Sequence, residues 1–143
     1  MNVGVFLQIK PFASVDVQLG HAREMGFTCA DITDTNAGGS MLGTAGFSPT
    51  VSLDEDPFEV KRLFKKHGIS PSTICAHAGL LESSNPGVYG TAEIMKAVQF
   101  AAAIGVKDVV TTETDPRSEW ARSLSCEEQI FIIAEKLHTP VKM

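Results

Sequence analysis

Three amphipathic stretches of the chain each end in a glycine, and a short apolar run rich in β-formers follows each one. The glycines are Gly26, Gly68 and Gly105. Because a glycine just past a helix adopts a left-handed conformation at little cost, each junction indicates a helix that ends and a strand that begins. The periodicity predicts strands over 3–9, 27–33, 72–77 and 107–113, and helices over 14–25, 57–67, 91–104 and 126–138.

The first and fourth predicted strands are nearly continuous runs of apolar or β-branched residues, which is typical of parallel strands covered on both faces. Two helix starts have explicit signals. Asp56 and Pro57 place an N-cap before a proline at the first helical position, and Ser125 with Glu128 has the spacing of a capping box. Four βα units therefore account for nearly the whole chain, as one domain over 1–143. The glycine-rich stretch 34–54 is predicted to be a functional lid or a disordered loop.

The number of units limits the possible architecture. A complete (β/α)8 barrel takes roughly 250 residues, whereas four units fill the 143 residues of this chain. A doubly wound sheet would carry a glycine-rich phosphate turn after the first strand, where this chain has the segment 10–14, Lys-Pro-Phe-Ala-Ser. The expected fold class is α/β, with the four βα units of a TIM half-barrel around a parallel sheet. A flavodoxin-like regulator is disfavoured because the third strand ends in His77 rather than an aspartate.

Composition excludes several classes of partner. The net charge of −5 and the isoelectric point near 5.3 argue against a nucleic-acid binder, which normally has a basic face. No apolar run approaches the roughly 20 residues of a membrane helix, and no basic segment precedes the first apolar run, so no signal peptide is expected. The three widely spaced cysteines suit reduced thiols. The sequence therefore predicts a cytoplasmic protein without nucleic-acid or membrane partners.

Polar and aromatic residues follow the predicted strands at equivalent places, where the active sites of parallel barrels lie. Gln8, Asp31, His77 and Glu113 occupy the strand ends, and Trp120 follows the fourth strand. Such a ring suits a polyol substrate or a divalent metal. Four of the five also have a structural interpretation: a partly buried histidine satisfied by a carbonyl for His77, an Asx turn for Asp31, a solvated loop acid for Glu113, and a packing anchor at the rim for Trp120.

The order of these features resembles the N-terminal half of the sugar phosphate isomerase/epimerase family, the xylose isomerase-like TIM barrels. The resemblance rests on the first strand from residue 3 and on three further segments. These are 26–32 (Gly-Phe-Thr-Cys-Ala-Asp-Ile), 74–77 (Ile-Cys-Ala-His) and 105–110 (Gly-Val-Lys-Asp-Val-Val). It covers the whole chain but only about half of a family member. It implies that His77 lines the substrate pocket and that Asp31 is the acidic residue that often closes strand two.

The resemblance implies isomerisation or epimerisation of a sugar or sugar phosphate by proton transfer next to a carbonyl, assisted by Mn²⁺ or Mg²⁺. In the family, the metal ligands and the glutamates that move the proton come from strands five to eight. We therefore expect no metal ligands in this chain, assign no catalytic residue, and expect a lone copy to be inactive. Its protein partner would be another copy or a missing C-terminal half. The alternative is a non-catalytic half-barrel, a binding or structural module that forms a homodimer.

Overall fold

The computed structural model describes residues 3–33, 50–76, 78–81, 89–111 and 119–143. Four strands form one sheet in the order β1-β2-β3-β4, and each pair of neighbours is parallel. The strands are β1 (Val5–Phe6), β2 (Cys29–Thr33), β3 (Ser70–Cys75) and β4 (Asp108–Val110). The helices are α1 (Val15–Glu24), α2 (Pro57–His67), α3 (Tyr89–Ile104), α4 (Glu119–Ser123) and α5 (Cys126–Leu137), and a 3-10 turn follows over Pro140–Lys142.

The predicted helix boundaries are confirmed by the local chemistry at their ends. Gly26, Gly68 and Gly105 all have positive φ angles, of 89°, 63° and 88°. The side chain of Asp56 accepts a hydrogen bond from the backbone N–H of Phe58 at 2.9 Å, with Pro57 at the first helical position. The capping box before α5 is also present, through reciprocal hydrogen bonds between the residues at its two ends. Three of the predicted helices therefore begin and end within one residue of the predicted positions, whereas α3 begins at Tyr89, two residues before its predicted start.

The strand order and the side on which the helices lie identify the architecture. Each strand neighbours its predecessor, and α1, α2 and α3 all pack against one face of the sheet. A doubly wound sheet instead reverses its strand order at one point and carries helices on both faces. The prediction of an α/β fold built from four βα units of a TIM barrel is confirmed. None of the described helices is long and apolar enough to cross a membrane.

The main core lies between the sheet and the helices. Ile32 and Ile74, paired in register on β2 and β3, are fully buried and face Leu19 of α1 and Phe64 of α2 within one cluster. The first two helices are also joined by charge, since Asp16 Oδ1 lies 2.6 Å from His67 Nε2 and 2.9 Å from Lys66 Nζ. The hydrogen bonds from His67 and Lys66 lower the pKa of Asp16.

The last unit differs from the prediction. The sequence predicts a buried apolar stripe on α5, but none of its residues is fully buried, and Ile130 is 61% exposed. Only Ile133 and Leu137 pack inward, partly buried against Ile94 and its neighbours. The short helix α4 was not predicted. The exposure of α5 has a simple cause, because within the described residues the helix has a neighbouring unit on one side only.

Candidate functional site

The face of the sheet opposite the helices, called here the inner face, would line the interior of a closed barrel. Side chains alternate between the two faces of a strand. In β2, Ala30 and Ile32 belong to the core under the helices, so Cys29, Asp31 and Thr33 point to the inner face. On β2 the inner face is therefore lined by small and polar side chains, whereas the outer face is apolar.

An irregularity in the pairing of β2 with β3 brings two polar side chains together on this face. Ala30 pairs with Pro71, but Ile32 pairs with Ile74, so Asp31 alone lies opposite two residues of β3. Such bulges redirect a side chain and are frequent next to active sites. Here the Ser72 hydroxyl donates a hydrogen bond to Asp31 Oδ1.

The backbone fixes Asp31 from its other side as well. Asp31 pairs in register with Phe6 of β1, and its carbonyl accepts a hydrogen bond from Leu7 N at 3.2 Å. The side chain is half-buried and held by Ser72. An ionised carboxylate accepts hydrogen bonds at both of its oxygens, so Oδ2 offers an acceptor to a ligand hydroxyl.

Thr33 closes β2 at its carboxyl end and carries a polar atom that needs a partner. Its backbone is held by Thr50, whose hydroxyl lies 2.7 Å from Thr33 N and 3.0 Å from Thr33 O. Its own Oγ1 is buried and has no hydrogen-bond partner among the described residues, as is also true of Thr111 Oγ1 and Glu93 Oε2. A buried hydroxyl left unpaired costs roughly 1–3 kcal/mol. A ligand hydroxyl or a water would remove that cost.

Of the predicted site residues, the structure places Asp31 on the inner face, inside β2 and not in an Asx turn. Gln8 lies two residues past β1, half-buried, where its N–H donates to Phe6 O at 2.7 Å and turns the chain. Trp120 lies in the first turn of α4, not on the sheet, and is 41% exposed. His77 and Glu113 lie outside the described residues, as do residues 34–49 of the long loop.

Ser72 and Thr33 are residues that the sequence did not single out. Ser72 follows Pro71 in a segment predicted to begin the third strand only at residue 72, and nothing local marks it as a partner of Asp31. A threonine that closes an apolar strand is a weak signal for a site at the carboxyl end of a parallel sheet.

The described residues do not fit a metal centre. They contain no group of three His, Cys, Asp or Glu side chains that could hold an ion. Asp31 is one carboxylate beside a hydroxyl, whereas Mg²⁺ and similar ions take several oxygen ligands. Asp31, Ser72 and Thr33 can therefore offer hydrogen bonds to a ligand.

Comparison with known proteins gives the fold. No protein-family model matches the sequence, and no curated protein shows a significant match. Among solved structures, 3-keto-D-glucoside 4-epimerase of E. coli matches with a TM-score of 0.63 at 17% identity, over 97% of this chain and 50% of that one. A xylose isomerase domain containing protein of Salmonella typhimurium matches with a TM-score of 0.66 at 14% identity, over 99% of this chain and 48% of that one.

A third solved structure is D-psicose 3-epimerase, determined in the presence of D-fructose. It matches with a TM-score of 0.64 at 11% identity, over 97% of this chain and 47% of that one. At these identities the likeness shows the fold alone. The chain therefore has the fold of xylose isomerase-like TIM barrels and spans about half the length of the solved structures it matches.

Proposed function

We propose that this chain is one half of a barrel that isomerises or epimerises a sugar or sugar phosphate, and that its contribution is to bind the sugar. The observation that carries the proposal is the hydrogen-bonded pair of Asp31 and Ser72 on the inner face. A carboxylate that accepts at two oxygens, beside a hydroxyl that donates and accepts, complements the vicinal hydroxyls of a sugar.

Two further observations support a polyol. The hydroxyl of Thr33, which has no hydrogen-bond partner among the described residues, lies on the same face, two residues closer to the carboxyl end of β2, where ligands of parallel barrels bind. Two of the solved structures with this fold are sugar epimerases by name. The acidic net charge of −5 fits a neutral sugar better than a polyanion, so a phosphate group would have to be bound by residues other than Asp31.

The proposed reaction is proton transfer next to a carbonyl, and this chain contributes binding and orientation to it. Asp31 accepts a hydrogen bond from a sugar hydroxyl and so fixes the position of the neighbouring carbon. The groups that move the proton, and the Mn²⁺ or Mg²⁺ ion expected from the resemblance, would come from the other half of the barrel. We therefore expect a single copy to bind a sugar without converting it. The three cysteines, none of them in a disulfide, fit a cytoplasmic location.

The experiment is isothermal titration of the chain with D-fructose, D-psicose and a ketohexose phosphate, together with Asp31→Asn. The substitution keeps a partner for Ser72 but removes the charge, so the affinity should fall roughly tenfold to a hundredfold. Glu24→Gln is the matched control, because Glu24 is exposed at the far end of α1. This variant should bind sugar with the affinity of the unmodified chain. The melting temperatures without sugar show that both variants fold.

Two outcomes would contradict the proposal. One is that none of the sugars binds, and the other is that Asp31→Asn and Glu24→Gln bind equally well. The absence of binding would favour the alternative of a non-catalytic half-barrel module.

A further inference from the structure

Exposed apolar side chains are concentrated at the two ends of the half-barrel. Among the described residues between β2 and β4, only Phe58 of α2 exposes a large apolar side chain, at 56%. All others, each at least 41% exposed, lie in the first unit or from β4 onward: Val3, Phe12, Val17 and Met25, then Val110, Trp120, Ile130, Phe131, Val141 and Met143. Apolar surface is thus left open where neighbouring βα units would pack in a closed barrel.

The orientation of α1 shows where its exposed apolar residues point. Successive residues turn by about 100°, and Leu19 faces the core. Gly20 faces α2, since a Cβ added there would lie 3.6 Å from the ring of His67. Met25, about 140° from Gly20 around the helix, therefore lies on the side of α1 away from α2, whereas Val17, about 60° from Gly20, does not. In a closed barrel this side packs against the helix of the preceding unit.

The orientation of α5 is the counterpart. Ile133 and Leu137 pack toward α3, through the cluster that contains Ile94. Phe131 lies on another side of the helix, 66% exposed, and lines a groove of about 340 Å³ together with Leu124, Glu127, Glu128 and Ile132. In a closed barrel this side packs against the helix of the following unit.

We propose that a second copy of this chain covers both open ends. A two-fold rotation about the barrel axis keeps all strands parallel and places β4 of each copy beside β1 of the other, with α5 beside α1. Two copies then supply the eight strands of a closed barrel, and the arrangement is a closed symmetric dimer. The chain spans 47% to 50% of the solved barrels it matches, so two copies together have about the length of one such barrel.

Area fits this occupant. Met25 of α1 and Phe131 of α5 are 61% and 66% exposed. For phenylalanine that fraction amounts to roughly 100–160 Å², and a stable interface buries about 800 Å² per partner. The side chain of Phe131 alone therefore supplies up to about a fifth of the area required.

The dimer would also complete the candidate site. The inner face that holds Asp31 and Ser72 is open in one copy, and the second copy would form the opposite wall and exclude water from it. This inference rests on the fold and on the exposed apolar surface, not on the proposed sugar chemistry. It is tested without sugar, so its failure and that of the proposed function are distinguishable.

The experiment is light scattering coupled to gel filtration, at about 100 µM chain. The unmodified chain should have twice the mass of 15.3 kDa. Met25→Glu and Phe131→Glu place a charge in the seam from either side, and each should shift the mass to that of one copy. Phe58→Glu is the matched control, because Phe58 is similarly exposed but lies on α2, and it should remain dimeric.

Hydrogen exchange of the unmodified chain is a second test of the dimer, and it needs no variant that could fail to fold. Amides of β1 and β4 should exchange more slowly at high than at low protein concentration, whereas those of β3, inside the sheet, should not change. A strictly monomeric chain with no such difference, a mass above two copies, or loss of the dimer in Phe58→Glu would each overturn the proposal.

Discussion

Replacing Ile74 by alanine tests whether the core lies on the helix side of the sheet. Ile74 is fully buried in β3, between Ile32 and Val109 in register. The substitution removes three carbon atoms from this layer. At about 0.8 kcal/mol for each buried methylene, with a further cost for the cavity that remains, it should lower the free energy of unfolding by about 3 kcal/mol.

The next residue along the strand is the matched control. Cys75 lies on the inner face, half-buried, opposite Thr33 and Val110. Cys75→Ala removes one sulfur atom from a surface that stays partly open to solvent, so it should cost about 1 kcal/mol or less. The two variants differ by one position in sequence and by the face of the sheet on which they act.

The assay is urea unfolding followed by far-ultraviolet circular dichroism, at a protein concentration low enough to keep the chain monomeric. A loss of about 3 kcal/mol is a large part of the 5–15 kcal/mol of a typical domain, so the transition midpoint of Ile74→Ala should fall clearly. If Cys75→Ala destabilised the chain as much as Ile74→Ala, the inner face would hold a core of its own. The half-barrel arrangement would then be wrong.

Two further predictions concern the backbone and pH. Gly68→Ala should lower the free energy of unfolding by about 1 kcal/mol in the same assay, because φ at Gly68 is 63°. No atom lies within 4 Å of an added Cβ, so the cost comes from the backbone conformation alone. An equal loss in Gly68→Asn would contradict this, because asparagine adopts the left-handed conformation more readily than alanine. The pKa of Asp16 is lowered by its hydrogen bonds to His67 and Lys66, so its contribution to stability is present above the ordinary pKa of 3.8 and is lost as the pH falls through the lowered value. Unfolding measured across this range should depend less on pH in Asp16→Asn, and equal pH profiles of the two proteins would refute the argument.

The sequence by itself determined the order of the four longer helices and most of their ends. A proline after Asp56, a glutamate three residues after Ser125 and a glycine after α2 act through backbone contacts within a few residues, so their effect can be read locally. The strands were located but predicted too long, for example over 3–9 where β1 is Val5–Phe6. A strand ends where its neighbour stops pairing, and that neighbour lies elsewhere in the chain.

Only the tertiary structure decided the composition of the candidate site. The sequence pointed to Asp31, because polar residues at strand ends follow a local pattern. Its partner Ser72 is 41 residues away and reaches it through an irregular pairing of two strands. The exposure of Ile130 and Phe131 on α5 also depends on distant segments. The sequence predicts an apolar stripe on this helix, but burial of the stripe requires a neighbouring element. Local signals fix backbone conformation, whereas contacts between distant segments decide which side chains meet and which stay open.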